Sequence, residues 1–572
     1  MLDMKEVRLP ECKGRITTAM SGGKRYAYYL LERTYHKDRK YNTARRVSIG
    51  RLSEHEGYLI PNQNFILYFS DALHQEESEP DRSNCLRAGS WMVLCHLVES
   101  SGVKEILETS FDAGGTALVL DFASYLIVME DNAGQYYPDY AYCHPLFSPG
   151  MRICSDSSLS LFLKSVRPEQ IAGFINGWNG KRRNRKRIYI SYDSTNRNCQ
   201  AGEVRLVEFG KPNTDTGEAV INTAVAYDCD NREALFYEEY PGSINDVSQL
   251  RFMVDKAKSF GYRDIGFILD RGYFSKGNIR CMDVVGFAFV IMLKGKAELV
   301  REMVDGVRHT FEDRRSCFIK GHGVHGTTIR RRLYEDDDRD RWFHLYHSTE
   351  LEASERAVVE ERIERLGTLL EKHVGKPFQS NDAVESYFDI ALDKTKKNLL
   401  AYKEKAEVIE AEIRKCGYFV IVTSEKMTAA EALGLYKGRD ASEKLFRSGK
   451  SFLGSRSLRV ASDEAVSAKT FIEFVALIVR QKFYNALKDA VLKSDRRLNC
   501  MTVPAALKEL DKIEMSRQFD GIYRLDHAVT KRQRTILAAL GLDDEYVKRK
   551  AREIGNALKP VDAGVSVAKE VK

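Results

Sequence analysis

Two short apolar runs that each end in an aspartate constrain the fold of this chain more than any other feature. Residues 187–193 read Arg-Ile-Tyr-Ile-Ser-Tyr-Asp, and residues 265–270 read Ile-Gly-Phe-Ile-Leu-Asp. Short runs rich in β-branched and aromatic residues are typical of buried strands. Each run therefore predicts a strand that brings one acid, Asp193 or Asp270, to an edge of a sheet.

The segments around these runs predict the layer to which they belong. Residues 219–226 and 234–240 are also strand-like. A helical stripe follows over 247–257, and a second helix near 275–283 leads to an apolar run at 287–293. Three strands, a helix, a strand, a helix and a strand predict an α/β layer with a mixed central sheet of the ribonuclease-H kind. Open α/β sheets bind ligands at the carboxyl ends of their strands, so both aspartates are candidate ligands.

Composition narrows the class of protein. The chain has 572 residues, 43% of them hydrophobic, which suits about three to four domains. No run approaches the roughly 18 consecutive apolar residues of a membrane span, and the N-terminus lacks the apolar region of a secretion signal. Eleven cysteines without Cys-x-x-Cys spacing favour reduced thiols in a cytoplasmic protein over a zinc module or a disulfide framework. No Gly-x4-Gly-Lys-Ser/Thr loop is present, so ATP is not an expected partner, and without a long apolar run a membrane is not expected either.

Positive charge is concentrated in two segments of a chain whose net charge is +7. Residues 181–187 carry six cations in seven positions. Residues 24–51 carry nine Lys or Arg against Glu32 and Asp38, with five tyrosines interleaved. Such stretches are either solvated faces or contacts to nucleic-acid phosphates, with tyrosines that stack on bases. Nothing in them selects DNA over RNA.

Changes of pattern divide the chain into seven predicted segments. Within them we predict a β-hairpin with strands at 26–31 and 45–49 around a turn at 36–42, two strand-like pieces at 328–334 and 342–346, and charged helices at 351–374 and 395–415. The segments are a β-rich N-terminal module (1–78), a helical DNA-binding region (79–180), the first part of a ribonuclease-H-like core (181–297), an inserted α+β subdomain (298–415), the completion of the core (416–480), a helical C-terminal region for dimerisation or DNA binding (481–555), and a flexible tail (556–572).

A third acid is required because carboxylates from separate elements must converge to hold divalent metal for phosphoryl transfer. Glu443 is the best candidate because of its neighbours Tyr436, Arg439 and Lys450. On a helix these four side chains fall within a stripe about 60° wide. A stripe this polar is either an exposed helix face or a surface set against metal and phosphate. Gly449 favours an earlier end of the helix, which would displace Lys450.

The spacing Tyr-x2-Arg-x3-Glu-x6-Lys at these positions resembles the signature of the family-four insertion-sequence transposases. Residues 192–195, Tyr-Asp-Ser-Thr, resemble the first-acid motif of those enzymes, and residues 270–274, Asp-Arg-Gly-Tyr-Phe, resemble the second. The gap between Asp270 and Glu443 is long, as in members with a subdomain inserted before the third acid. The resemblance covers roughly residues 187–480.

The resemblance implies cut-and-paste transposition by a ribonuclease-H-like core. Asp193, Asp270 and Glu443 would be catalytic and would bind two Mg²⁺ (or Mn²⁺) ions per active site. Metal-activated water nicks the end of the element, the freed 3′-OH forms a hairpin with the opposite strand, and the reopened end is inserted into target DNA. The expected partners are double-stranded DNA, as terminal inverted repeats and as target, and a second copy of the chain in a synaptic homodimer. The expected location is the bacterial cytoplasm, in association with the nucleoid.

Further residues are expected to contact DNA. Phosphate contacts are assigned to Tyr436, Arg439, Lys450, Arg271, Lys181, Arg182, Arg183, Arg185 and Lys186. Trp342, flanked by Arg339 and Arg341, is a candidate stacking platform for a flipped base, and Trp178 is a weaker one. For Trp342, packing within an inserted sheet is the simpler interpretation.

Two alternative functions stay open. One is a ribonuclease-H-like nuclease that cuts DNA without joining it, which would need the strand-end acids but not the Tyr-Arg-Glu-Lys stripe. The other is a DNA-binding protein descended from a transposase that has lost catalysis. An intact set of three acids argues against the second, because carboxylates held together without metal repel one another.

Overall fold

The protein is described here by a computed structural model. It describes residues 7–10, 12, 15–36, 41–53, 57–69, 82–182, 187–199, 204–208, 219–244, 246–262, 264–293, 297–394, 397–439, 453, 457–460, 462–494 and 498–559. Their contacts divide the chain into two compact units, Met1–Arg82 and Ser83–Lys572.

The first unit is an antiparallel sheet with a helix on one face. Its elements are β1 (Val7–Arg8), β2 (Ile16–Ser21), β3 (Lys24–His36), β4 (Tyr41–Leu52), β5 (Tyr58–Pro61) and α1 (Gln63–Phe69). The strand order is β1-β5-β4-β3-β2. Phe65 of α1 is buried against Ala27, Ile49 and Leu59. The predicted hairpin strands are confirmed, but its turn is shorter than predicted, because β3 extends to residue 36 and β4 begins at residue 41. Residues 37–40 lie outside the described residues.

The second unit combines one large sheet with helices on both sides. Its strands are β6 (Cys85–Arg87), β7 (Ile188–Asn198), β8 (Val220–Asp228), β9 (Glu233–Pro241), β10 (Ile265–Leu269), β11 (Ala288–Met292), β12 (Phe318–Ile319), β13 (Val324–Arg331), β14 (Arg341–His347), β15 (Phe388–Leu392), β16 (Leu399–Glu404), β17 (Tyr418–Thr423), β18 (Glu514–Arg517) and β19 (Tyr523–Leu525). Its helices are α2 (Gly89–Ser101), α3 (Val103–Leu107), α4 (Ala113–Met129), α5 (Tyr137–Cys143), α6 (Asp156–Ser165), α7 (Pro168–Gly180), α8 (Asp246–Ser259), α9 (Lys276–Val285), α10 (Ala297–Val307), α11 (Thr349–His373), α12 (Asp382–Tyr387), α13 (Ala406–Ile413), α14 (residues 429–439), α15 (Asp463–Lys493), α16 (Val503–Leu510), α17 (Lys531–Ala538) and α18 (Asp544–Ala557).

The large sheet has the strand order β12-β13-β14-β17-β11-β10-β7-β8-β9. β10 is parallel to β7 and β11, and the other neighbouring pairs are antiparallel. The five strands predicted from the apolar runs are β7 to β11, and they form one contiguous half of the sheet. Their side chains are buried on both faces, as the unbroken apolar runs require.

The other half of the sheet departs from the prediction of a separate subdomain over 298–415. β14 pairs with β17 over Trp342–His347, and β17 pairs with β11, so β13 and β14 extend the central sheet. Phe343 and Leu345 of β14 belong to the main hydrophobic core. The strand-like residues of 298–415 that form β13 and β14 therefore belong to the core sheet and not to a separate subdomain.

Residues 349–413 form a small second core beside that sheet. In α11 the predicted stripe Val359, Ile363, Leu366 and Leu370 is buried, as its 4-3-4 spacing requires. The predicted helix at 395–415 is wrong. In its place the β15–β16 hairpin precedes the short helix α13.

A long buried helix joins the ends of the second unit to the sheet. α15 packs on β9 on one side and on α2, α4 and α6 on the other. The predicted boundary at 480/481 falls inside this helix. β6 pairs with β18, so residues near 85 and near 515 share one small sheet. Within the described residues no single helix is long and apolar enough to span a membrane, although one pair bent by 93°, Ala113–Met129 with Gly134–Cys143, passes the same test jointly.

Candidate active site

The two predicted acids follow neighbouring positions of two parallel strands. β10 pairs with β7 in the register Ile268↔Ser191 and Leu269↔Tyr192. Asp270 and Asp193 are the next residue of each chain segment, and paired strands lie about 4.8 Å apart. The prediction that Asp193 ends its strand is wrong, because β7 continues to Asn198 and pairs residue 193 with Val225 of β8. The two aspartates nevertheless lie at the same level of the sheet.

The backbone turns sharply after Asp270. Asp270 is extended, and residues 271–273 form a short 3₁₀ turn in which the Tyr273 amide donates to the Asp270 carbonyl oxygen at 3.0 Å. The Tyr273 ring is buried against Tyr192, with ring centroids 5.1 Å apart. This aromatic contact links the residue before the first acid to the turn after the second. Arg271, predicted to bind phosphate, is exposed next to the second acid.

Helix α14 brings part of the predicted polar stripe to Asp270. Arg439 Nη1 lies 3.2 Å from Asp270 Oδ1, and the two side chains are 15% and 36% exposed. The Arg439 guanidinium is also 5.3 Å from the centroid of the Tyr436 ring, so the two residues share a helix face as predicted. Glu443 and Lys450 lie outside the described residues.

Tyr436 differs from the prediction that the whole stripe is too polar for a core. Its side chain is 5% exposed and belongs to a cluster with Ile268 of β10, Ile421 of β17 and Leu433 of α14. Tyr436 therefore anchors α14 on the sheet.

A buried ion pair fixes β7 beyond Asp193. Arg197 of β7 pairs with Glu473 of α15, and both side chains are less than a tenth exposed. Lys469, one turn earlier in α15, is buried beside them, and burial lowers its pKa to about 8. Sequence reasoning missed this cluster. The available signal was a charged pair, Lys469 and Glu473, within an otherwise apolar helical run.

Of the basic segment 181–187 that follows α7, one arginine side chain is buried in the protein. The assignment of Arg182 to DNA is wrong in this structure, because its guanidinium is buried on Glu233 with donor–acceptor distances of 2.9 and 3.0 Å. It also stacks on Trp178 at 3.3 Å from the ring centroid. Lys181 is half exposed and pairs with Glu105. Arg183, Arg185 and Lys186 lie outside the described residues.

The two candidate stacking tryptophans have different settings. Trp178 is fully buried and donates its indole N–H to the Ala234 carbonyl, so it is not a platform for a base. Trp342 is partly exposed on β14. Arg330 and Lys426 approach its ring at 5.5 and 5.9 Å from the centroid. Trp342 is thus a residue of the sheet whose ring is partly exposed and has two cations nearby.

The chemistry of the acids suits a hard divalent cation, because carboxylate oxygens are the ligands that Mg²⁺ and Mn²⁺ prefer. Asp270 keeps about a third of its side-chain surface exposed. Among the residues whose side chains the structure describes, no three Asp, Glu, His or Cys side chains gather closely enough to hold a metal. The side chain of Asp193 and the whole of Glu443 lie outside that set.

Asp270 follows the carboxyl end of β10 at the level of Asp193 in the neighbouring parallel strand, and open α/β sheets typically bind ligands at such strand ends. A family model, the transposase DDE domain, matches residues 185–479, which is more than half of the 572 residues. The chain belongs to this family of transposases, whose domain implies an enzyme that cleaves and transfers DNA and generally uses divalent metal ions.

Two other comparisons add little to that assignment. No curated protein matches the chain. A cryo-EM structure of a piggyBac transposase synaptic complex with hairpin DNA aligns over 73% of this chain and 71% of that chain, at 9% identity and a TM-score of 0.33. At that TM-score the likeness carries no argument about this protein.

Proposed function

We propose that this protein catalyses cut-and-paste transposition of an insertion sequence, with Asp193, Asp270 and Glu443 as its catalytic acids. The contact between Arg439 and Asp270 is the observation that carries the proposal. These residues are far apart in sequence, and each belongs to a different motif of the signature that predicted the site. Glu443 follows Arg439 by four residues, the separation of one helical turn.

The strand order supports a ribonuclease-H-like core for this reaction. The contiguous half-sheet β9-β8-β7-β10-β11 has three parallel strands flanked by an antiparallel hairpin. β12, β13, β14 and β17 continue this sheet before the segment that carries the third acid. The long separation between the second and third acids is therefore filled largely by core-sheet strands and the small second core.

Divalent metal would be held by Asp193, Asp270 and Glu443, and two Mg²⁺ or Mn²⁺ ions would polarise the phosphate and activate the attacking oxygen. The residues of the chain then have separate tasks. Arg439 balances the charge of Asp270 and orients its carboxylate. Arg271, exposed beside Asp270, binds a phosphate of the DNA, and buried Tyr436 holds α14 in place.

Other DNA contacts follow from the positions of the cations. We assign Lys450, Lys181, Arg183, Arg185 and Lys186 to the phosphates of the terminal repeats or the target. We withdraw Arg182 and Tyr436, because both side chains are buried, and we reassign Arg439 to Asp270. Trp342 is proposed to stack on a base that leaves the duplex during hairpin formation, because its ring is partly exposed and has two cations near it. A homodimer would hold both ends of the element in one synaptic complex, in the cytoplasm and on the nucleoid.

A strand-transfer assay tests the proposal against both alternatives. The purified chain is incubated with Mg²⁺, target DNA and a labelled duplex that carries the terminal repeat of the element, either intact or pre-nicked. The expected products are a nick and a hairpin from the intact duplex and a joined product from the pre-nicked one. Glu443→Gln should abolish all three, whereas Glu431→Gln, at an exposed acid of α14, should abolish none.

Each alternative predicts a different gel. Cleavage without joining of the pre-nicked end would indicate a nuclease. Absence of every product, together with absence of metal-dependent stabilisation in a thermal melt, would indicate a non-catalytic derivative. Normal activity of Glu443→Gln would remove Glu443 from the active site.

A further inference from the structure

Two strands of the first unit extend beyond the rest of their sheet. Among the described residues, β2 pairs with β3 over Lys24–Tyr29, the Leu30 amide also donates to the Arg15 carbonyl oxygen, and β5 pairs with β4 over Gly50–Leu52. Residues 30–36 and 41–46 pair with one another instead. We call this two-stranded ribbon the basic arm. Its seven residues on β3 span about 20 Å at the usual rise of a strand.

The charge of this region is one-sided. Strands β2, β3 and β4 carry six cations, Lys24, Arg25, Arg33, Arg45, Arg46 and Arg51, against the single acid Glu32. All six except Arg51 are exposed. Within the part of the chain that the structure describes, none of the six forms an ion pair.

Positive charges concentrated without neighbouring acids repel one another in the isolated protein. A bound polyanion lowers this electrostatic repulsion energy.

The shape of the basic arm fits duplex DNA. A two-stranded β-ribbon is narrow enough to enter the major groove, and a strand presents side chains on both of its faces. Ala44 pairs with Arg33, and the next pair toward the tip of the basic arm is Thr34 with Thr43; all three small residues are exposed. Short side chains allow the backbone of the ribbon to come close to a phosphate chain.

The aromatic rings at the base of the arm are already occupied. Arg46 lies over the Tyr28 ring at 5.1 Å from its centroid. The Tyr29 ring packs edge-on against Phe69 of α1 at 4.8 Å and also contacts Tyr68. These contacts cover part of the Tyr28 and Tyr29 rings, so less of each ring is open for stacking on a base. A stacked guanidinium still directs its N–H groups outward, where they can donate to phosphate oxygens.

From these observations we infer that the basic arm is a second DNA-binding surface, which contacts the phosphate backbone of duplex DNA through Arg33, Arg45 and Arg46 independently of base sequence. The inference takes DNA as the partner, as the proposed function does. It concerns a unit of the chain apart from the candidate active site, so the two can fail separately.

The salt dependence of binding measures such contacts directly. Each phosphate contact contributes about 0.9 to the slope of log K against log salt concentration. In the full-length chain, the triple variant Arg33→Gln, Arg45→Gln, Arg46→Gln should lower that slope by about 2.7. Between about 50 and 200 mM salt, the native chain should then lose about 40-fold more affinity than the triple variant. Fluorescence anisotropy with two labelled duplexes of unrelated sequence gives the slopes, which should change equally for both.

Matched variants separate lost charge from lost structure. Arg33→Lys, Arg45→Lys, Arg46→Lys keeps the charge and should keep the slope. A control triple, Arg356→Gln, Arg365→Gln, Lys372→Gln, removes three exposed cations from the acid-rich helix α11 and should leave the slope unchanged. Asp270→Asn should keep the native slope while it loses cleavage, so a wrong active site would leave this result intact.

Two results would overturn the inference. The first is a native slope on DNA in the Gln triple variant; if that variant has also lost binding to phosphatidylserine vesicles, the arm belongs to a membrane surface. The second is a loss confined to one of the two duplexes, which would mean that the arm reads bases.

Discussion

Arg182 provides a sharp test of the buried ion pairs in this structure. The basic run around Arg182 predicts contact with DNA, whereas the structure buries its side chain on Glu233. The change is Arg182→Met. It removes a bidentate pair with Glu233, in which the two side chains are 8% and 4% exposed, and a guanidinium stacked on Trp178. Removing one partner of a buried pair typically costs about 3–5 kcal/mol, since the remaining charge stays desolvated.

A second cation near Glu233 reduces the expected loss of stability. Lys482 lies 3.7 Å from the same Glu233 carboxylate and still compensates part of its charge. We therefore expect a loss near the lower end, about 3 kcal/mol, in the free energy of unfolding. Urea denaturation followed by tryptophan fluorescence measures it, because Trp178 touches the altered site.

Neighbouring variants serve as controls. Lys181→Gln breaks an exposed pair with Glu105 and should cost less than about 0.5 kcal/mol. The double variant Arg182→Met, Glu233→Leu removes both charges and should recover most of the loss. Native stability of Arg182→Met together with weakened DNA binding would refute the buried pair and restore Arg182 to the DNA surface.

Three further predictions concern Arg439 beside Asp270 and two residues of β14, His344 and Trp342. Arg439→Gln should slow single-turnover cleavage about 10- to 100-fold with little change in DNA affinity, because Asp270 loses an orienting cation; equal losses of both would contradict this. Burial lowers the pKa of His344 from 6.5 to about 4, so between these pH values the unfolded chain binds a proton that the folded chain excludes. Because of His344, the free energy of unfolding should fall by about 3 kcal/mol from pH 7 to pH 4. In urea titrations at the two pH values, His344→Gln should not show this decrease. Trp342→Ala should reduce the hairpin product but not the first nick, and Trp342→Phe should keep both; an equal loss of nick and hairpin in Trp342→Ala would assign Trp342 to structure alone.

The sequence predicted best those features that depend on local pattern. Five apolar runs became the strands β7 to β11, because a run apolar on both faces is stable only between two layers. The stripe of α11 was predicted for the same reason, since its 4-3-4 spacing marks one face of a helix.

Features that depend on distant partners were not predictable in this way. The charged segment 395–415 has a helical composition, yet β16 forms because it pairs with β15 and shields Leu399 in the second core. Arg182 is buried because Glu233, on another strand, accepts its two hydrogen bonds. Asp193 lies within its strand because β8 continues the pairing for five more residues, to Asn198.

The candidate site shows the same division. Motif spacing located both aspartates and grouped Tyr436 with Arg439, which share one helix face. Spacing did not predict that Tyr436 is a core residue or that Arg439 contacts Asp270. Both depend on where α14 packs on the sheet, which is decided by its contacts with β10 and β17.

The most direct test of the central claim is the rate of Mg²⁺-dependent cleavage of a terminal-repeat duplex by Asp270→Asn. Its control is Asp255→Asn, which makes the same chemical change at an exposed position of α8. If Asp270 holds metal, Asp270→Asn should cleave about a thousand-fold more slowly while it binds the duplex normally, and the control should cleave at the native rate. Native cleavage by Asp270→Asn would contradict the account of this site.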